Sequence, residues 1–358
     1  MTENDSKNSS RRHFNKLIGA GALLSLSGCL EDLTGGSDPE RQDPSARIQD
    51  VEIKQVPEGY SQNRFFVAIS DDLLDSDYTI FNGQQLRVRP NSSSGSRGDA
   101  VLYTVTTDPT YSDQEENTIW VSNSGMERLD STDGTVDVIP YSTSPVYFSR
   151  NEGRENAEFI EQTNDGNPSI LFISPHGGQL YTNTELQAFR GASQNDYSVW
   201  SVAGYGETES QAWRRWYNPE DRYSVESFYG LQELRESYET VVSFSGNSLP
   251  IRKIIIGGLT STELKEAVKE ELEYVFYGSQ RSYVEGAENE DRSALDDSVD
   301  IEIQTSGEEA GVDPRLISNR LSTSGGGTLR ISQTDSVREE YWQEIADSVI
   351  RAVETLRE

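Results

Sequence analysis

The constraint that weighs most on this chain is residues 170–185, ILFISPHGGQLYTNTE. A short continuous apolar run opens the stretch and reads as a buried strand. It stops at Ser174-Pro175, and His176, Gly177 and Gly178 follow before a polar segment able to start a helix. In an open α/β sheet, ligands gather beyond the carboxyl ends of such strands. The paired glycines let the backbone approach a ligand and adopt dihedrals that a Cβ forbids. Outside the extreme N-terminus, His176 is the chain's single imidazole.

The elements alternate after this edge. Residues 197–203, 239–245, 252–257, 299–305 and 327–332 read as strands. Asn183 or Thr184 caps a helix running to Phe189, and 207–216, 224–237 and 261–277 read as further helices. A long terminal helix over 336–357 places Trp342, Ile345, Val349, Ala352, Val353 and Leu356 at helical spacing. Alternation at this spacing predicts an α/β fold: a mixed, mostly parallel sheet with helices on both faces. Residues 285–298 read as an acidic surface loop and Gly325–Gly327 as a mobile loop near the pocket mouth. Trp213, Trp216 and Tyr217 read as core or pocket wall.

Ahead of this lies a different texture. Between residues 48 and 147 the β-rich runs RFFVAI, YTIF, QQLRVRP, AVLYTVTT, NTIWVS, GTVDVIP and SPVYF are separated by turn signals. This predicts a small all-β barrel or sandwich. A one-turn helix at 126–129 before a Thr-Asp-Gly turn resembles the layout of double-psi-like barrels. Residues 92–98, SSSGSRG, read as a loop tip. No catalytic constellation stands out there, so binding or packing against the following domain is the default expectation.

The N-terminus reads as an address. Arg11-Arg12 precede a short apolar run over 17–26, the order of a twin-arginine export signal. That run is shorter than the ~20 residues that span a bilayer. It ends in Leu26-Ser27-Gly28-Cys29, which resembles a lipobox, with Cys29 as the first mature and lipid-bearing residue. Cys29 is the chain's single cysteine, so the folded part has neither disulfide nor cysteine metal ligand. The expected organisation is a signal over 1–28, a flexible acidic tether over 29–47, a barrel-like domain over 48–148 and an α/β domain over 149–358. The tether holds the folded part at the outer face of the cell membrane.

Charge narrows the partners. Asp and Glu number 61 against 31 Lys and Arg, a net charge of −30 spread along the chain. At molar salt the Debye length falls to ~3 Å and such a surface stays hydrated without self-repulsion. This reads as adaptation to a very saline environment. A basic nucleic-acid face is disfavoured.

The blocks ILFISPHGGQLYTNTELQAF, YETVVSFSGN, RKIIIGGL and DPRLISNRLSTSGGGTLRIS, then the helix opened by SVREEYW, resemble the poly-γ-glutamate hydrolase family in the same order. That family is a branch of the zinc-dependent, carboxypeptidase-like peptidases, and the resemblance runs from about Asn151 to the C-terminus. It implies cleavage of isopeptide bonds in an anionic polymer by one zinc and a glutamate general base, with three protein ligands and an open water position. His176 and Glu185 match the family's first block, but Tyr181 stands at its first acidic position. Ser245 replaces the second His ligand, and Arg330 stands where the general base is expected. The Asn319-Arg320 pair, which resembles a clamp for a substrate carboxylate, is retained, and Arg338 also matches.

The resemblance therefore implies a remnant metal site of His176 and Glu185, with no cofactor expected although active relatives use zinc. Arg330 beside Arg320 suits bidentate binding of carboxylates, so His176, Asn319, Arg320 and Arg330 are the candidate ligand contacts for an anionic polymer or peptide. Three readings stand: a surface-tethered pseudoenzyme that binds such a polymer, an active amide or isopeptide hydrolase rebuilt on Ser245 and His176, and a structural surface lipoprotein with the barrel as its binder.

Overall fold

The computed structural model describes residues 46–357 except 57–62, 75–79, 92–98, 107–114, 131–133, 148, 235–236 and 279–293, and only the backbone of 324–326. The export signal with Arg11 and Arg12, Cys29, most of the tether and the 92–98 loop lie outside the described residues, as does most of the acidic 285–298 segment.

Six strands close the first unit into a barrel: β1 (Ile48–Gln55), β2 (Phe66–Ile69), β3 (Gln85–Pro90), β4 (Val101–Thr106), β5 (Thr118–Val121) and β6 (Thr135–Ile139), in the order β1-β5-β2-β4-β3-β6. Closure removes the free edges that would otherwise pair with other chains. Inside, Val51, Val67, Leu86, Val88, Tyr103, Val121, Val136 and Val138 are buried. The helix Asn123–Leu129 is capped by the Ser122 side chain, which accepts from the Gly125 amide. Strand β1, with its polar IQDVEIKQ sequence, was hidden from the hydrophobic pattern. SPVYF forms no strand over its described residues 144–147; Pro145 has no amide to offer a ladder.

The second unit is a seven-stranded sheet of β7 (Phe159–Asn164), β8 (Asn167–Gly178), β9 (Tyr197–Gly204), β10 (Tyr238–Asn247), β11 (Lys253–Gly257), β12 (Asp300–Ile303) and β13 (Ser322–Thr334). The order is β12-β11-β13-β10-β8-β9-β7. The pairs β12–β11, β13–β10, β10–β8 and β8–β9 are parallel, while β11–β13 and β9–β7 are antiparallel, giving the mixed, mostly parallel sheet anticipated.

Alternation along the central strands divides the core. Ile170 and Phe172 join Val242, Phe244, Ile254 and Leu329 under the helices Thr184–Gln194, Thr262–Tyr277 and Asp335–Thr355. Leu171, Ile173, Trp200, Val202 and Val241 face the other way, against Ala212, Trp216, Phe228 and Leu231. Two barrel residues, Ala100 and Leu102, enter that second cluster, so the barrel packs on this face. Burial of each such large apolar side chain contributes on the order of 1.5–3 kcal/mol.

Four local expectations change. A helix over 224–237 is replaced by a 3-10 turn at Val225–Ser227 and a short helix at Tyr229–Glu233. Gly325–Gly327 is no loop: it belongs to β13, where Gly327 pairs with Thr240 at the end of the strand remote from Ser245 and Ser332. The edge strand β7, apolar only at Phe159 and Ile160 and paired with β9, gave no apolar run to read. The helix Arg150–Glu155 forms behind a capping box of Ser149 and Glu152.

Candidate functional site

Three neighbouring parallel strands, β8, β10 and β13, bring His176, Ser245 and Arg330 to one edge of the sheet. Ser243 stands opposite both Ile173 and Arg330 in register, and Ser245 opposite Ser332. Small residues occupy the crowded positions there, and the register of β8 against β9 shifts between Ser174 and Gly177, beside His176. A Cβ on Gly246 would lie 2.2 Å from Cδ1 of Tyr181, and one on Gly177 would lie 2.7 Å from Cβ of Glu185.

His176 is 4% exposed. Its Nε2 lies 2.8 Å from the Asn218 carbonyl. A carbonyl only accepts, so we assign the proton to Nε2. The rings of Tyr217, Tyr223 and Tyr181 surround the imidazole at centroid distances of 5.1, 5.5 and 5.7 Å. Burial lowers the imidazole's pKa below its ordinary value, outweighing the Asn218 carbonyl and Glu220, which act to raise it.

Glu185 is buried and does not meet the imidazole. Its Oε2 accepts from the Gly178 amide at 3.1 Å, and its Oε1 pairs with Nε of Arg150 at 3.0 Å. Arg150 comes from the short helix that the capping box starts.

Arg330 is drawn into a buried network. Nη1 lies 2.6 Å from Oε2 of Glu220, and Nη2 donates to Ser245 Oγ at 3.0 Å. The other oxygen of Glu220 accepts from the Ser318 hydroxyl at 2.7 Å and the Ser318 amide at 3.3 Å. Burial alone would raise the Glu220 carboxyl, but Arg330 and Ser318 outweigh it and hold the group below the usual carboxylate range. Burial would likewise lower Arg330, and Glu220 reverses that. The guanidinium expected to face an acidic ligand thus has an internal counter-ion.

Ser245 and His176 sit on adjacent strands but bond elsewhere, the serine to Arg330 and the imidazole to Asn218. They form no nucleophile–base hydrogen bond in this arrangement. Asn319 uses Nδ2 to hold the carbonyls of Gly311 and Asp313, at 3.0 and 2.7 Å. Arg320 is exposed and donates to the Tyr223 carbonyl. Arg338 is buried, donates to the carbonyls of Thr182 and Gln333, and meets Asp335. Its guanidinium lies over the Tyr181 ring, 5.3 Å from the centroid. Trp216 is core, whereas Trp213 and Tyr217 are partly buried and in ring contact, with Trp213 edge-on to Tyr181 at 5.2 Å.

The donor chemistry does not fit a zinc ion. Among the described residues no three His, Cys, Asp or Glu side chains are grouped to hold a metal. Tyr181 is a phenol that burial holds neutral, with its pKa raised. Glu185 is engaged by Arg150, and Arg330 brings a positive charge to the same edge.

Glu220, Asn218 and Arg150 complete this edge and carried no motif. A buried arginine needs an acidic partner, so Arg330 itself signalled that one existed. Nothing local marked Glu220 among 61 acids.

No curated protein matches the chain significantly. Among solved structures, that of a bacteriophage poly-gamma-glutamate hydrolase is similar at 17% identity and a TM-score of 0.41, over 57% of this chain and 94% of that one. The zinc-free YNDL-apo structure is similar at 16% identity and a TM-score of 0.41, over 55% and 89%. An N-acetylmuramoyl-L-alanine amidase, AmiC2 of Nostoc punctiforme, is similar at 14% identity and a TM-score of 0.28, over 54% and 99%. The family described as poly-gamma-glutamate hydrolase matches residues 148–353, more than half of the sequence, and the chain belongs to that family.

Proposed function

We propose that this chain is an exported, lipid-anchored member of the family that binds an anionic polymer or peptide of the polyglutamate type without efficient hydrolysis. The observation that carries the reading is the Arg330–Glu220 pair, 2.6 Å apart, at the position that the family resemblance gives to the general base. A glutamate base takes up a proton from water; an arginine is already protonated at every relevant pH. The sole imidazole of the folded part is committed to a backbone carbonyl and the remaining acid to Arg150. Among the described residues, water activation by a metal has no three-ligand group to draw on.

Binding draws on what is left at the rim. Arg320 is exposed and donates to the Tyr223 carbonyl, with the charges of Glu226, Glu220 and Asp221 acting on it. Trp213, Tyr217 and Tyr181 present half-buried rings at the His176 edge. A guanidinium suits a carboxylate and the half-buried rings offer contact area for a chain, and molar salt screens the acidic surface from that ligand. Arg11-Arg12 and Cys29 support export and lipid attachment.

The test is metal analysis of protein purified in molar salt, together with poly-γ-glutamate binding and oligomer release. Zinc well below one equivalent, retained polymer and no released oligomers are expected. Stoichiometric zinc with release of glutamate oligomers overturns the proposal.

A further inference from the structure

Residues 217–228 supply most of the site's second wall. Asn218 offers its carbonyl to His176, Glu220 pairs with Arg330, and Tyr223 packs its ring against His176. Yet the segment has little regular structure of its own, only two 3-10 turns at Glu220–Arg222 and Val225–Ser227. A segment of that kind keeps one conformation only if other groups bind its backbone and polar side chains.

The barrel supplies those groups. Gln85 on β3 is fully buried: Nε2 donates to the Arg222 carbonyl at 2.7 Å, Oε1 accepts from the Ser224 amide at 2.8 Å, and its own amide donates to Ser227 Oγ at 2.9 Å. Thr104 on β4 accepts from Nδ2 of Asn218 at 2.7 Å. Ser142 donates to the Ser227 carbonyl at 2.6 Å. Arg128, on the barrel's helix, donates to the carbonyls of Arg214, Arg215 and Tyr217 at 2.9, 3.3 and 2.9 Å, gripping the chain where it enters the segment. One unbroken path runs from Thr104 through the Asn218 side chain and carbonyl to Nε2 of His176. All four barrel residues precede residue 148, where the family match begins.

We infer that the barrel is a working part of this site, with Thr104, Gln85 and Arg128 as positioning residues that hold residues 217–227 and, through Asn218 and Glu220, orient His176 and Arg330. This makes the barrel something other than a separate binder or a passive neighbour. The inference rests on this edge being the ligand site, and it holds whether or not that site hydrolyses its ligand.

The experiment uses the full chain in molar salt. Thr104→Val keeps the shape and removes the acceptor, Thr104→Ser restores an acceptor, and Gln85→Met removes the contacts to residues 222 and 224 that its side chain makes. Nitrogen-15 NMR of the imidazole, assigned against His176→Gln, reads the tautomer. The inference expects a single Nε2–H form in the parent and in Thr104→Ser. It expects a mixed or reversed form in Thr104→Val and Gln85→Met, with polymer affinity falling about fivefold for each lost hydrogen bond. Val136→Ala, in the barrel core, serves as a variant that lowers stability alone, and it leaves the imidazole signal in place.

Unchanged imidazole signals in folded Thr104→Val and Gln85→Met overturn the inference. So does an equal change in Val136→Ala, because the barrel would then act through stability only. If Thr104→Val does not fold, Gln85→Met decides. A parent protein that binds no polymer sinks the proposed function while the imidazole readout still decides this inference.

Discussion

Arg330 and Glu220, 110 positions apart in the chain, meet at 2.6 Å with both side chains largely buried. A pair of this kind is weak evidence of stability, because desolvation of two charges offsets their attraction. Removing one partner is another matter. Arg330→Met leaves Glu220 buried without its counter-ion and is expected to cost about 3–5 kcal/mol, whereas the double variant Arg330→Met/Glu220→Gln recovers most of that loss. Denaturant unfolding in molar salt measures both. Equal losses in the single and double variants would remove the pair from the account.

The same pair sets a pH dependence. Burial pushes the Glu220 carboxyl up, but Arg330 and Ser318 prevail and its folded pKa lies below the ordinary 4.5. A depressed carboxylate stabilises the fold above its unfolded pKa, and that contribution fades as pH falls through the lower, folded value. Below about pH 4.5 the parent should lose stability faster than Arg330→Met/Glu220→Gln, by at most about 1.4 kcal/mol per pH unit for one proton. Acid-unfolding curves of the two proteins that run parallel would contradict this.

Tyr181 and Gly246 test the packing at the edge. A Cβ on Gly246 would meet Cδ1 of Tyr181 at 2.2 Å and Nη1 of Arg338 at 2.5 Å. Gly246→Ala should therefore cost about 1–3 kcal/mol by overpacking. Adding Tyr181→Ala clears the nearest ring atoms, so the two changes should couple by more than about 0.5 kcal/mol. Thermal melts of the two single variants and the double variant give that coupling directly, and simple additivity would refute the contact.

Much of the architecture was legible in the sequence. The mostly parallel sheet followed from apolar runs alternating with helical periodicity, because strand and helix burial repeat over neighbouring residues. The elements that escaped were polar or short. Strand β1 is largely polar and β7 turns polar after Phe159 and Ile160, while Gln85 and Ser142 of the barrel hydrogen-bond residues 224 and 227 where helical residues were expected. Tertiary hydrogen bonds there override local propensity.

The site divides along the same line. His176, Glu185, Ser245, Asn319, Arg320 and Arg330 were all readable as candidates, but their partners were not. His176 meets Asn218, Glu185 meets Arg150, and Asn319 is spent on the carbonyls of Gly311 and Asp313. Ser245, a strand away from the imidazole, is claimed by Arg330.

What the sequence determined by itself is the alternation of strands and helices in the sheet domain, the extreme acidity and the presence of an arginine, a serine and a tyrosine around a strand-end site. Each is a property of one residue or of its near neighbours. Only the tertiary structure decided which groups those residues bind, and so turned Arg330 from an open cation into half of an ion pair with Glu220. A buried charge must find a partner, but the chain offers 61 acids, and folding alone brings one of them within 2.6 Å.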